Sequence, residues 1–335
     1  MCTLICPQNG VVIDTHTHIQ GEFIRQIREQ GIAAALEWLL PRKNDGELTY
    51  PQPIQFQWSC DDSSQYVFEL SEDAAFAAPY TIHTDSTDCT VTNLKIGQTY
   101  YWRVNGGAYN TFSTLDNQYR FLQVDGALNV RDLGGIHIKQ GLLYRGSEID
   151  REYKISDSGK RVLKEDLKIK SEINLRKEME HRNAESCIGE GVRYQYLPYR
   201  PYGEMFEQEH RDGIVTIMEF LADENNYPVY FHCLGGADRT GMIAFLLRGL
   251  LGEADEDILI DYELTSLSSY AHGRAEGVSS LGFRSRETEY FQNFRSLFDA
   301  YNGNSIAEKT ESFLMNCNVK LSTIEKIRSI LKNDL

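Results

Sequence analysis

His232-Cys233-Leu234-Gly235-Gly236-Ala237-Asp238-Arg239-Thr240-Gly241 joins a short β-branched and aromatic run, Tyr227-Pro228-Val229-Tyr230-Phe231, to an apolar helical run from Met242 to Leu251. That order predicts a strand, a tight loop and a helix, the building unit of an α/β fold. Arg239 stands at the sixth position after Cys233. A loop of this length opening into a helix can curl so that successive backbone N–H groups converge on one anion. Gly235 and Gly236 permit the curl. The helix N-terminus, the inward amides and Arg239 together favour the thiolate form of Cys233, which is the form that attacks phosphorus. Arg239 offers a planar fork matched to two phosphate oxygens. The candidate phosphate cradle is therefore Leu234, Gly235, Gly236, Ala237, Asp238 and Arg239, and this chemistry calls for no metal and no cofactor. A single buried Cys is ordinarily a small core residue. Cys, two Gly and Arg at this spacing, followed by Thr-Gly, weigh strongly against that reading.

These residues carry a resemblance. The decapeptide resembles the His-Cys-x5-Arg-Thr-Gly signature of cysteine-dependent phosphatases, and its Asp-Arg-Thr-Gly ending is similar to that of the atypical bacterial tyrosine/serine protein phosphatases. Asn129-Val130-Arg131-Asp132-Leu133-Gly134-Gly135 looks like that group's N-terminal element. Leu143-Tyr144-Arg145-Gly146-Ser147 and Ile173-Asn174-Leu175-Arg176 resemble two of its strand ends, and Val278-Ser279 with Ile324-Glu325-Lys326-Ile327-Arg328 its helical tail. The resemblance covers residues 119–335 and implies a three-layer cysteine-phosphatase fold with a mostly parallel central sheet. It also implies metal-independent hydrolysis of a phosphorylated protein or small phosphomonoester through a phosphocysteine. Phosphotyrosine leads as substrate, with phosphoserine/threonine, phosphoinositides and inositol phosphates behind it. A non-catalytic phospho-ligand binder of the same fold is the rival that turnover would exclude. Ala237 stands where many members carry Lys, which puts polyphosphorylated lipids in doubt.

The general acid is less legible than the nucleophile. Tyrosine phosphatases usually take it from an Asp on an upstream loop, but the corresponding region reads Tyr199-Arg200-Pro201-Tyr202-Gly203-Glu204-Met205 and holds no Asp. The resemblance favours Asp238, whose alternative role is an ion pair that stiffens the loop; Glu204, Glu207 and Asp212 are runners-up. Thr240 is placed to hydrogen-bond the sulfur, and His232 to brace the loop. The resemblance implies that Arg131 and Asp132 buttress it, although each alone reads equally well as a turn salt bridge. Tyr194, Tyr196, Tyr199 and Tyr202 cluster with Arg200 and either line an aromatic cleft or serve as strand and core residues.

The 335 residues exceed the usual size of one domain, and 41% hydrophobic content is ample for packed cores. A net charge of −15 disfavours nucleic acid and long-range attraction to anionic surfaces. No apolar run is long enough to span a bilayer. The opening Met1-Cys2-Thr3-Leu4-Ile5-Cys6-Pro7 has no basic region leading into an apolar one, so the expectation is cytoplasmic residence, or export if a leader has been removed. Residues 50–115 alternate polar and apolar, as in Ile54-Gln55-Phe56-Gln57-Trp58 and Tyr100-Tyr101-Trp102-Arg103-Val104, between turn signals. They predict a small β-sandwich. Leu94-Lys95-Ile96-Gly97-Gln98-Thr99-Tyr100 resembles the end of a fibronectin type III module, which implies a spacer or a protein or glycan contact. The expected domains are a 1–46 extension, with a helix over Glu22–Leu40, a 47–118 sandwich and a 119–335 catalytic domain. Of seven cysteines, Cys60 and Cys89 share the sandwich and form either a disulfide or two buried thiols. One rival motif remains. Val11-Val12-Ile13-Asp14-Thr15-His16-Thr17-His18 resembles the first metal-binding strand of amidohydrolase barrels, but no train of strand-helix units with His or Asp at strand ends follows it.

Overall fold

The computed structural model describes residues 2–61, 65–177, 185–273 and 288–333. It is a mixed α/β structure with several sheets, and its contacts divide it into two units, Met1–Thr17 with Tyr50–Gln123 and His18–Thr49 with Val124–Leu335. The contiguous 1–46 extension is thus divided between them. Gly31, at φ +87°, breaks the expected single helix into α1 (His18–Gln30) and α2 (Ile32–Leu39). Their apolar stripe of Phe23, Ile27, Ile32, Leu36 and Leu39 is fully buried, as an amphipathic helix pair requires.

The first unit is built from β1 (Cys2–Cys6), β2 (Val11–Ile13), β3 (Ile54–Cys60), β4 (Tyr66–Ser71), β5 (Tyr80–Thr84), β6 (Asp88–Val91), β7 (Thr99–Val104), β8 (Asn110–Thr114) and β9 (Arg120–Phe121). One sheet runs β1-β3-β6 and another β2-β8-β7-β4-β5. Period-two alternation decides which side chains face inward. Phe56 and Trp58 of β3, Phe68 and Leu70 of β4 and Trp102 and Val104 of β7 share one core, in which the Phe56 ring meets those of Phe68 at 4.8 Å and Trp102 at 5.3 Å. Beyond Gly97, at φ +63°, the Tyr100 hydroxyl accepts a 2.9 Å bond from the Lys95 amide. The disulfide joins Cys2 to Cys60, which face each other across β1 and β3, while Cys89 pairs in register with Phe56 and stays a thiol. The Cys60–Cys89 alternative therefore gives way to a cross-strand neighbour that sequence separation concealed. Burial, together with the neighbouring Asp88, pushes the Cys89 thiol up to about 12.

The second unit adds β10 (Arg131–Asp132), β11 (Leu143–Gly146), β12 (Ser171–Asn174), β13 (Arg193–Tyr196) and β14 (Val229–His232). Its later helices are α3 (Asp157–Arg161), α4 (Arg211–Leu221), α5 (Asp238–Leu250), α6 (Asp255–Glu263), α7 (Ser269–Gly273), α8 (Glu289–Asp299), α9 (Ile306–Asn316) and α10 (Leu321–Leu331). These strands run in the order β13-β12-β14-β11-β10, parallel except for β10 against β11. The central strand β14 is buried throughout, as its continuous apolar run requires. Register sets Gly146, Asn174 and His232 level with one another at the carboxyl ends of β11, β12 and β14, where open α/β sheets place their ligands. Helix α5 leaves that edge and is buried on every side from Thr240 to Leu250. The tail motif lies on α10 with Ile324 and Ile327 buried, whereas Val278 and Ser279 lie outside the described residues.

Candidate active site

The loop between β14 and α5 is shaped by donors that take its carbonyls from outside. The amide of Glu148 donates to the Leu234 carbonyl at 2.9 Å. The Asn129 carboxamide donates to the carbonyls of Gly235 at 3.1 Å and Gly236 at 3.2 Å, and Arg145 Nη2 donates to Gly236 at 2.8 Å. In a trans peptide the N–H points opposite to the C=O. With each of these three carbonyls taken by a protein donor, the N–H groups of Gly235, Gly236 and Ala237 point away from those donors. The two glycines are required for separate reasons. Gly236 sits at φ +66° with the Gly146 backbone 2.5 Å from where a Cβ would be, and a Cβ on Gly235 would lie 2.2 Å from the Tyr270 ring. The first helical bond of α5, Gly241 N–H to Ala237 carbonyl at 2.7 Å, fixes the helix start directly after this loop.

Beneath the loop lies a buried ionic cluster. Asp261 receives Arg145 Nη1 at 2.6 Å and Arg131 Nε at 3.3 Å, and lies 3.5 Å from Arg248, which also pairs with Glu253 at 2.6 Å. All five side chains are almost completely shielded from solvent. Burial alone would push the Asp261 carboxyl up, but the guanidiniums of Arg248, Arg145 and Arg131 hold it well below the usual carboxylate range. Burial, reinforced by Arg145, pushes Arg131 down to about 9. Arg131 also donates to the Asn129 side-chain oxygen, so the cluster orients the carboxamide that grips Gly235 and Gly236. Asn129 itself is held at φ +58°, a conformation that non-glycine residues adopt infrequently and Asn most readily.

A second set of groups surrounds the start of α5. Cys233 is 2% exposed at the loop's entry. The Tyr202 hydroxyl donates to Asp238 and lies 2.7 Å from the Tyr262 hydroxyl. The Tyr199 hydroxyl donates to the Arg239 carbonyl. Burial, with a smaller contribution from Cys233, pushes the Tyr199 phenol well above its ordinary value, so it remains a donor. His232 bridges from its own strand, with Nε2 at 3.0 Å from Glu172 and Nδ1 at 3.2 Å from the Cys233 carbonyl.

The tyrosine phosphatase family profile matches residues 122–332. The chain belongs to the tyrosine phosphatase family. Among solved structures, the core catalytic domain of the PP-IP phosphatase SIW14 from S. cerevisiae, in complex with citrate, is similar at 20% identity and a TM-score of 0.31, over 41% of this chain and 78% of that one. No curated protein matches the chain.

Within the phosphatase unit, the sequence-derived residues take different places. Cys233, Leu234, Gly235, Gly236, Ala237, Asp238 and Arg239 make up the loop and the first turn of α5, with His232 beneath. Arg131 reaches the loop through Asn129, while Asp132 accepts from the amides of Gly134 at 2.8 Å and Gly141 at 2.7 Å and so fixes the turn after β10. Thr240 is buried, and its hydroxyl makes no hydrogen bond among the described residues, so the bond to sulfur is not formed in this state. The runners-up for the acid lie in more open places. Glu204 pairs with Arg200 at 3.3 Å on the surface, Glu207 is exposed beside His210 and Asp212 is exposed on α4. The four tyrosines separate. Tyr194 accepts from Asn174 at 2.7 Å on the edge strand β13, which also carries Tyr196, whereas Tyr199 and Tyr202 support α5.

In the other unit, His16 Nε2 lies 2.5 Å from the Tyr119 carbonyl, and Asp14 accepts from the His16 amide and from Asn117. These residues fix a turn after β2; His18 opens α1. Sequence reasoning overlooked Asp261, Glu253 and Arg248. An arginine within the apolar run Met242–Leu251 was the available signal, since a charge there requires a buried partner.

Proposed function

We propose that this chain hydrolyses phosphomonoesters, with phosphotyrosine as the leading substrate, through a phosphocysteine on Cys233. The observation that carries the reading is the set of three outward-held carbonyls, which leaves three consecutive amides, Cys233 and Arg239 on one short loop. The Cys233 sulfur attacks phosphorus as the bond to the leaving oxygen breaks, and Asp238 delivers a proton to that oxygen. Arg239 and the amides of Gly235, Gly236 and Ala237 hold the three equatorial oxygens through the transition state. Water then attacks the phosphocysteine, the P–S bond breaks, and Asp238 takes the water's proton. Asp238 is favoured as the acid because Tyr202 fixes its carboxylate at the loop's rim. Tyr290, 71% exposed, places its ring 6.1 Å from that of Tyr202, which supports an aromatic leaving group beside Asp238.

In the same reading the second unit adopts the three-layer cysteine-phosphatase arrangement, and the first unit is a fibronectin type III-like β-sandwich acting as a spacer or contact module. The Tyr100 hydroxyl reaching back to the Lys95 amide supports the latter, since a tyrosine bonded to the backbone a few residues upstream is a recurrent corner in such sandwiches.

The test is phosphate release in EDTA from para-nitrophenyl phosphate, phosphotyrosine and phosphoserine peptides, and an inositol phosphate. The expected order places phosphotyrosine first. Preference for the inositol phosphate would reassign the substrate, and binding without release would make the protein a recognition module. Asp238→Asn is expected to lower kcat on the phosphotyrosine peptide by about 10²- to 10⁴-fold. Its effect on para-nitrophenyl phosphate should be much smaller, because nitrophenolate departs without a proton. Equal losses on both substrates would remove Asp238 from the acid role.

A further inference from the structure

Glu47 lies outside the segment that matches the family, in the stretch that follows α2, yet it belongs to the same unit as the phosphate loop. Its carboxylate is crowded with donors. Oε2 accepts from the Ser269 amide at 2.9 Å, the Ser269 hydroxyl at 2.7 Å and the Ser268 hydroxyl at 3.0 Å. Oε1 accepts from the Thr49 hydroxyl and, at 3.4 Å, from the Asn129 amide. The neighbouring backbone secures the same place: the Leu48 amide donates to the Leu267 carbonyl at 3.1 Å, and Gln20 Nε2 donates to the Leu48 carbonyl at 2.9 Å.

Two of Glu47's attachments lead to Gly235, and one of them also to Gly236. Ser268 and Ser269 immediately precede Tyr270, whose ring covers Gly235 so closely that no side chain fits there. Asn129, on the other oxygen, is the residue whose carboxamide holds the carbonyls of Gly235 and Gly236. One carboxylate thus ties together the ring above the cradle and the amide clamp outside it. We propose that Glu47 is a positioning residue for the phosphate loop, so that the site recognised by the family is completed in this chain by a residue from the N-terminal helical segment. The inference rests on the loop being the oxyanion site of the proposed phosphatase. The two carboxylate oxygens supply the lone pairs that these five donors need, which is why this node takes Glu.

The experiment compares full-length wild type with Glu47→Ala and Glu47→Gln. It reads kcat and KM on para-nitrophenyl phosphate, tungstate binding by calorimetry and the thermal midpoint. Glu47→Ala is expected to weaken tungstate binding and lower kcat/KM by about 10- to 100-fold per folded molecule, since small displacements at a reacting site carry losses of that size. Glu47→Gln, which keeps one acceptor, should fall between Ala and wild type. Wild-type tungstate affinity and kcat/KM per folded molecule in Glu47→Ala, with only a lower midpoint, would overturn the inference by making Glu47 merely structural. If Glu47→Ala does not fold, the Ser268→Ala/Ser269→Ala double variant decides, with the same loss expected and wild-type behaviour overturning it. Tungstate binding needs no turnover. A wild type that binds tungstate but releases no phosphate therefore refutes the phosphatase reading, and the Glu47 comparison still stands.

Discussion

Cys233→Ser is expected to lower phosphate release by at least about 10⁴-fold on every substrate the wild type hydrolyses, with the residual rate unaffected by EDTA or added divalent metal. A serine hydroxyl is not ionised near neutral pH, so the loop's amides and Arg239 would face a group that cannot attack. Those same donors do not depend on sulfur. The variant should therefore still bind a phosphotyrosine peptide, and slow its exchange enough for capture by calorimetry or pull-down. The buried position of Cys233 supports this separation, since one atom changes at the loop's entry while the carbonyl bonds from Glu148, Asn129 and Arg145 remain. Activity that survives the substitution and requires metal would sink the mechanism.

Asp261→Ala should lower the unfolding free energy by about 3–5 kcal/mol, because it leaves buried guanidiniums without their shared partner. Arg145 would lose its 2.6 Å bond and Arg131 its 3.3 Å bond, while the Arg248–Glu253 pair at 2.6 Å would remain. The pH dependence has a definite sign. Asp261 is held below the usual carboxylate range in the folded protein, so its stabilisation is fully present above the unfolded value of about 4 and is lost as pH falls through the lowered folded one. Urea unfolding should give a constant difference between wild type and variant from about pH 6 to 8, narrowing only in acid. A difference below about 1 kcal/mol at neutral pH would show that the cluster contributes little. Because Arg145 also holds the Gly236 carbonyl, the folded variant should lose oxyanion affinity as well.

The strand, loop and helix were legible because they are local. Cys233, the glycines and Arg239 lie within one loop and the first turn of its helix, and a strand before and an apolar helix after left little freedom in how they fold. The alternating runs of the first unit were legible for a similar reason, since period-two burial is written directly along β3 and β7. Other features depended on non-local contacts. Cys2 and Cys60 are 58 residues apart and meet only because β1 pairs with β3. Glu22–Leu40 showed helical periodicity, but not that Gly31 would divide it or which unit it would join.

By itself, then, the sequence determined the strand-loop-helix that carries the proposed nucleophile and cradle, since hydrophobic periodicity and loop spacing act over a few residues. Tertiary structure alone decided what holds the cradle in shape. Asn129 and Arg145 bind the carbonyls of Gly235 and Gly236, and Glu47 and Asp261, from distant segments, bind Asn129 and Arg145 in turn. No spacing rule links them, because a buried charge or a bound carbonyl selects its partner by proximity in the folded core.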